Sequence, residues 1–228
     1  ELRVSLGNGW FKGKFGLNNQ SNNFGDEFKL IAELRLVYED GEVQVIGTDE
    51  TWEYIGSDVE DDGIYDGEII NHLLWKEKEN LPKKAVLTEA EGKLVARYSL
   101  PVMEMEDMPV KEVIYTPLGE TVLDFGQNFA GYVTFRNHLL EGTRIVFDHG
   151  EILQDGNFYN ENYRSAKSQF VYVSDGRDEL VRPSFTYFGF RYVRVTGWPG
   201  EAKEEDFTGK ALYSRWTEPD TLRPDIRA

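Results

Sequence analysis

Leu30-Ile31-Ala32-Glu33-Leu34-Arg35-Leu36-Val37-Tyr38, followed by Glu39-Asp40-Gly41-Glu42-Val43-Gln44-Val45, sets the fold class. Leu30, Ala32, Leu34, Leu36 and Tyr38 occupy alternate positions, with Glu33 and Arg35 between them. Side chains on a strand point to opposite faces in turn, so this pattern predicts a half-buried β-strand. Asp40-Gly41 then marks a hairpin, because Asp-Gly tolerates the positive φ angles of a tight primed turn, and Val43 and Val45 begin the return strand.

The same signature recurs outward from this hairpin. Strands are expected at Thr121–Phe125, Tyr132–Phe135, Arg144–Asp148, Ser168–Ser174 and Phe190–Thr196, with breaks at Gly126, Gly142, Gly150, Gly156 and Gly176. Leu94–Arg97 reads as one more strand. Helix is confined to a short stretch over Leu74–Asn80, stopped near Pro82. Many short strands separated by turn signals predict an all-β chain of two β-sandwich, jelly-roll-like domains. Residues 1–80 form the first domain and residues 110–214 the second. Residues 81–109, with Pro82, Pro101, Pro109 and the acidic run Glu104-Met105-Glu106-Asp107, connect them. Residues 215–228, with Pro219 and Pro224, read as a linker.

Composition narrows the chemistry. The 228 residues carry a formal charge of −16, which repels nucleic-acid phosphates and anionic membrane surfaces but leaves a neutral sugar unaffected. No stretch approaches the roughly 20 apolar residues of a membrane helix. With no cysteine there is no disulfide framework, thiolate metal site or Cys nucleophile, and the absence fits a cytoplasmic protein. Glu1-Leu2-Arg3-Val4 reads as the middle of a strand, so the numbering is expected to begin inside a larger protein.

No catalytic constellation stands out. Asp148 and Glu151 flank His149, with Glu161 nearby, but nothing in their spacing fixes a separation, and a solvated loop accounts for them. His72, His138 and His149 lack zinc-ligand spacing and read as surface or loop residues, so no metal site is assigned. Asp58, Glu60, Asp61 and Asp62 read as a solvated acidic turn rather than a calcium loop. Four residues are candidates for sugar contact. Trp10 can stack on the apolar face of a pyranose while Asn8 bonds its hydroxyls. Gln127 and Asn128 offer amide donors and acceptors, although both also suit local loop bracing. Arg164, Ser165 and Lys167 either reach toward a neighbouring domain or brace their own loop. Phe125, Phe185, Phe190 and Tyr192 lie beside glycines, a combination that suits a packed core, and Phe125 with Phe190 or Tyr192 is expected between sheets.

Three segments carry a resemblance: Asp124-Phe125-Gly126-Gln127-Asn128-Phe129-Ala130-Gly131-Tyr132-Val133; Gly150–Tyr159, continuing through Glu161-Asn162 to Arg164-Ser165-Ala166-Lys167; and Pro183-Ser184-Phe185-Thr186-Tyr187-Phe188-Gly189-Phe190-Arg191-Tyr192-Val193. In this order and spacing they resemble the central β-sandwich of bacterial α-L-rhamnosidases. Leu6–Gly13, Thr48–Trp52 and Ile64–Glu68 resemble the later half of the N-terminal β-sandwich of the same family. The chain departs from the family at Phe188, where His is common, and at Ile69-Ile70-Asn71. The resemblance implies an enzyme that hydrolyses terminal α-L-rhamnose with inversion, using two carboxylates in a helical barrel that follows these domains. The family's acid motif and its helix pairs do not occur in this sequence. The chain is therefore expected to be a non-catalytic β-fragment that supports the barrel of the same polypeptide and helps to recognise a rhamnosyl glycan. Some relatives bind rhamnose through calcium in the first domain, but no cofactor is assigned here. The other reading is a freestanding carbohydrate-binding or structural β-sandwich protein.

Overall fold

A computed structural model describes residues 2–14, 20–74, 81–89 and 93–215. A single helical turn, α1 (Gly9–Lys12), precedes a series of strands: β1 (Glu33–Val37), β2 (Val43–Gly47), β3 (Glu53–Tyr54), β4 (Val59–Gly63), β5 (Gly67–Asn71), β6 (Lys83–Lys84), β7 (Val102–Pro109) and β8 (Glu112–Tyr115). The longest, β9 (Thr121–Asn137), leads into β10 (Arg144–Gly150), β11 (Ile152–Gln154), β12 (Asn157–Tyr159), β13 (Gln169–Val173), β14 (Glu179–Val181), β15 (Phe188–Thr196) and β16 (Phe207–Ser214). The chain is all-β, as its patterning predicts. Most of the helix expected over Leu74–Asn80 lies outside the described residues, and Leu94–Arg97 is irregular rather than a strand.

The hairpin expected at Asp40-Gly41 is present. β1 pairs antiparallel with β2, with Val37 opposite Val43. Its turn is not the two-residue primed type. The Gly41 N–H donates to the Tyr38 carbonyl at 3.0 Å, and only Gly41, at φ +86°, takes a left-handed conformation. This is a three-residue loop in which the glycine supplies the reversal. Leu36 is half-buried, whereas Leu34, Val37, Val43 and Val45 are exposed. A two-stranded sheet has no interior of its own, so its apolar face is covered only by another layer.

The main sheet runs β4-β5-β13-β10-β15-β9-β16-β7, with β8 and β14 also paired to β9. It curls around one core. Phe125, Phe135, Phe147, Phe170, Phe190 and Phe207 are each at most 2% exposed, and Tyr172 is fully buried. Edge-to-face contacts knit them together, including Phe125–Phe190 at 5.5 Å and Phe135–Phe147 at 5.5 Å between ring centroids. Phe125 and Phe190 are thus buried as expected, while Tyr192 is only half-buried.

Two strands expected on either side of Gly126 are one. Gly126 stands at φ +81°, its N–H donating to the Asp124 carboxylate at 2.6 Å, and the pairing with β15 shifts register between Phe190 and Tyr192. The glycine makes a bulge within β9 rather than its end, because the Asp124 carboxylate satisfies the displaced N–H.

The sheet draws strands from both halves of the sequence. β5 pairs in parallel with β13, from Gly67 opposite Gln169 to Asn71 opposite Val173, and β4 follows β5 as the outer strand. At the other edge β7 pairs with β16.

Candidate functional site

The bulge in β9 presents Gln127 and Asn128 to solvent. Its base is rigid. Arg191 grips Asp124 through two hydrogen bonds of 2.8 Å, and Asp124 also takes the Gly126 N–H. Burial raises the cost of charging Asp124, but the Arg191 fork and the Gly126 N–H outweigh it and hold its pKa below the ordinary value. The Asn128 amide donates to Glu151 at 2.9 Å, and Asn162 donates to the other Glu151 oxygen at 3.4 Å. Beside them the Tyr163 hydroxyl donates to the Gly189 carbonyl at 2.6 Å. The result is a shelf of amides around one carboxylate. Such a shelf offers donors and acceptors to hydroxyl groups.

Asn8 and Trp10 form a second surface. The Asn8 backbone N–H donates to the Asp62 carboxylate at 2.7 Å, and its side-chain amide donates to the Asp62 carbonyl at 3.0 Å. These two bonds fix the turn α1 against β4. Burial, the largest influence on Asp62, lifts its pKa above the ordinary value despite that N–H. Trp10 stands edge-on to Tyr65, with ring centroids 5.7 Å apart, and is 49% exposed. Lys14 pairs with Asp66 at 2.6 Å close by. Aromatic faces flanked by polar groups can stack on a sugar ring and bond its hydroxyls.

The structure does not merge the two surfaces. β5, β13, β10 and β15 stand between β4 and β9 in the sheet. Tyr65, Asn162 and Tyr163 belong to these surfaces without having been singled out in the sequence. They lie within the quoted motifs or beside them, but nothing in one sequence says which ring or amide stays exposed.

The histidines differ from their sequence reading. Only His138 is exposed. His149 is 1% exposed, stacks on Phe188 with centroids 3.8 Å apart, and places Nδ1 2.8 Å from the Ser168 carbonyl. Burial drives its pKa down to about 4, so it is neutral. His72 is buried between Asp58 and Glu179. Asp148 and Glu120 both hold Arg194, at 3.0 and 2.9 Å. Asp148 therefore stands as an ion-pair partner, and Glu151 as part of the amide shelf. Asp58, just before β4, is held by His72, and on the strand Glu60 is held by Asn71 and Asp62 by Asn8. These side chains turn to separate partners and offer no converging oxygen cage of the kind calcium requires.

The fold and these surfaces define a class: an all-β region that offers stacking and amide groups and pins its buried carboxylates in structural bonds. Comparisons with known proteins give the family. Residues 1–106 match the α-L-rhamnosidase N-terminal domain, and residues 114–213 match the bacterial α-L-rhamnosidase concanavalin-like domain. The chain belongs to the α-L-rhamnosidase family. An α-L-rhamnosidase of Streptomyces avermitilis is 29% identical over 93% of the chain, and one of an Alteromonas species is 26% identical over 86%. The chain spans 22% of the length of each. The crystal structure of the native Aspergillus terreus enzyme superposes with a TM-score of 0.80 at 28% identity, covering 90% of this chain and 25% of that one. The Streptomyces avermitilis enzyme complexed with L-rhamnose gives 0.78 at 29% identity, covering 91% and 21%.

Proposed function

We propose that this chain is the non-catalytic β-region of an α-L-rhamnosidase, one that removes terminal α-L-rhamnose with inversion. Its role is to support a helical catalytic barrel of the same polypeptide and to help hold the rhamnosyl glycan. The supporting observation is the collinear match to two rhamnosidase domains by a chain that spans only 22% of its curated relatives. The engaged buried carboxylates agree with a region that leaves hydrolysis elsewhere. Sugar contact is assigned to Trp10 with Asn8, and to Gln127 with Asn128. The amide shelf suits ring hydroxyls, and Trp10 supplies an apolar face.

Two measurements test this reading. The purified chain should not release aryl leaving groups from an aryl α-L-rhamnoside. Turnover that disappears on mutating one of its own carboxylates would refute the non-catalytic role. Titration of the ¹⁵N-labelled chain with L-rhamnose should shift the indole resonance of Trp10 or the amide resonances of Gln127 and Asn128. If none moves at millimolar sugar, the recognition role is wrong.

A further inference from the structure

We propose that His72, Asp175 and Glu179 bind one divalent cation of the zinc type, at the seam between the two family domains. The inference is independent of the sugar-binding reading. Backbone pairing brings the residues together. His72 directly follows β5 and continues its pairing, the His72 N–H donating to the Val173 carbonyl at 3.1 Å. Asp175 lies just beyond β13, and Glu179 opens β14. One donor atom from each of the three residues lies within 4.8 Å of the others.

The imidazole is held between two carboxylates, so that a cation can take the place of the proton on Nδ1. Nε2 lies 3.1 Å from Asp58, and Nδ1 lies 2.7 Å from Glu179. With the Nε2 proton donated to Asp58, the Nδ1 lone pair faces Glu179 and the Tyr172 hydroxyl, 3.3 Å away, which an ion would have to displace. A carboxylate behind a histidine that faces a metal fixes the tautomer and raises ligand basicity. One imidazole nitrogen and two carboxylate oxygens form a three-residue set with room for water in a fourth position, which suits zinc. Calcium takes six to eight oxygens and is a poor match.

Charge points the same way. Asp58, Asp175 and Glu179 bring three negative charges. Arg177, 2.6 Å from Asp175, cancels one. A proton on His72 would cancel one more and leave a surplus, whereas a divalent cation cancels both. Access is open, since a groove of about 250 Å³ is lined by Asp58, Val59, His72, Glu179, Arg182 and Ser184. Closing on an ion requires Glu179 and Asp175 to move inward, with Asp175 releasing the Arg177 backbone N–H, 3.1 Å from one oxygen, and keeping its other oxygen on the Arg177 side chain. The ion would then join a ligand from the N-terminal match to two from the concanavalin-like match.

Calorimetric titration of the EDTA-stripped chain with zinc chloride, at pH 7.5, tests the site. One zinc should bind per chain and raise the melting temperature. Manganese should bind more weakly, and calcium should not compete. His72→Ala and Glu179→Gln should each abolish the binding, and His138→Ala should leave it unchanged. Asp58→Asn should weaken it by about 10–100-fold, since it alters only the support of the ligand. Circular dichroism checks each fold, and Glu179→Gln decides the matter if His72→Ala does not fold. No saturable 1:1 binding would overturn the site, leaving His72 as a protonated bridge between Asp58 and Glu179. Undiminished binding in Glu179→Gln, or calcium binding tighter than zinc, would overturn it equally.

Discussion

Glu68 on β5 accepts the backbone N–H of Phe185 at 2.6 Å, a contact between residues 117 positions apart. The same carboxylate takes the Ser184 N–H at 2.9 and 3.0 Å and is 1% exposed. It ties the segment before β15 to the strand that the first half of the sequence lends to the main sheet. Removing it leaves two partly buried backbone donors without their acceptor, a loss of about 1–3 kcal/mol in all. Glu68→Ala should lower the urea midpoint clearly, and a midpoint equal to wild type would show that these N–H groups find other partners.

Glu68 also has a pH signature. Burial outweighs the N–H donors of Phe185 and Ser184 and pushes its pKa up to about 7, from 4.5. The folded chain therefore holds more protons than the unfolded chain between these values, and this group's contribution to stability falls as pH rises from about 4.5 to about 7. His149 acts in the opposite sense. Its pKa is depressed from 6.5 to about 4, so the unfolded chain holds more protons in that window, and stability is lost as pH falls below about 6.5. The two slopes oppose each other in wild type. Melting curves of Glu68→Gln between pH 4 and 7 should expose the His149 slope, with stability rising with pH. A Glu68→Gln profile parallel to that of wild type would contradict the assignment.

Phe125 and Phe190 meet edge to face in the core, at 1% and 0% exposure. Phe125→Ala and Phe190→Ala should each cost about 3–5 kcal/mol in urea unfolding. Because the rings touch, the double variant should lose less than the two single losses together. Strict additivity would mean that the rings do not support each other.

Arg194 bridges Asp148 and Glu120, and Glu120 in turn accepts the Phe158 N–H at 3.0 Å. Arg194→Lys keeps the charge but loses the planar fork that spans two carboxylates. It should cost about 1–2 kcal/mol, within the range for charge-assisted hydrogen bonds at a partly exposed site. Hydrogen exchange at the Phe158 amide should speed up as Glu120 loses its anchor. Unchanged exchange there would separate Glu120 from Arg194.

Much of the fold is legible in the sequence. Alternation at Leu30–Tyr38 marks a real strand, and the aromatic-glycine segments mark the core that holds Phe125 and Phe190. What the pattern misses has physical causes. Gly126 looks like a strand end, because a lone sequence does not show that Asp124 will satisfy its N–H and carry the strand through. The parallel pairing of β5 with β13 joins residues about a hundred positions apart, and no local signal encodes it. The burial of His72 follows from that pairing, and that of His149 from its stacking on Phe188 and Phe190, and neither is visible locally. The exposed rings and amides were reachable as residue types, but their exposure depends on which loops lie over them.

The boundary at which the family domains meet is not the boundary at which the sheet ends. A cut between residues 106 and 114 falls after β4 and β5, which supply the outer edge beyond β13. An excised concanavalin-like module would present the backbone of Phe170, Val171 and Tyr172 as a naked strand edge, an invitation to aggregate. The piece that can be transplanted between proteins is therefore larger than its domain label. It has to take residues 59–71 along with it, and residues 102–113 for the strands that pair with β16 and β9.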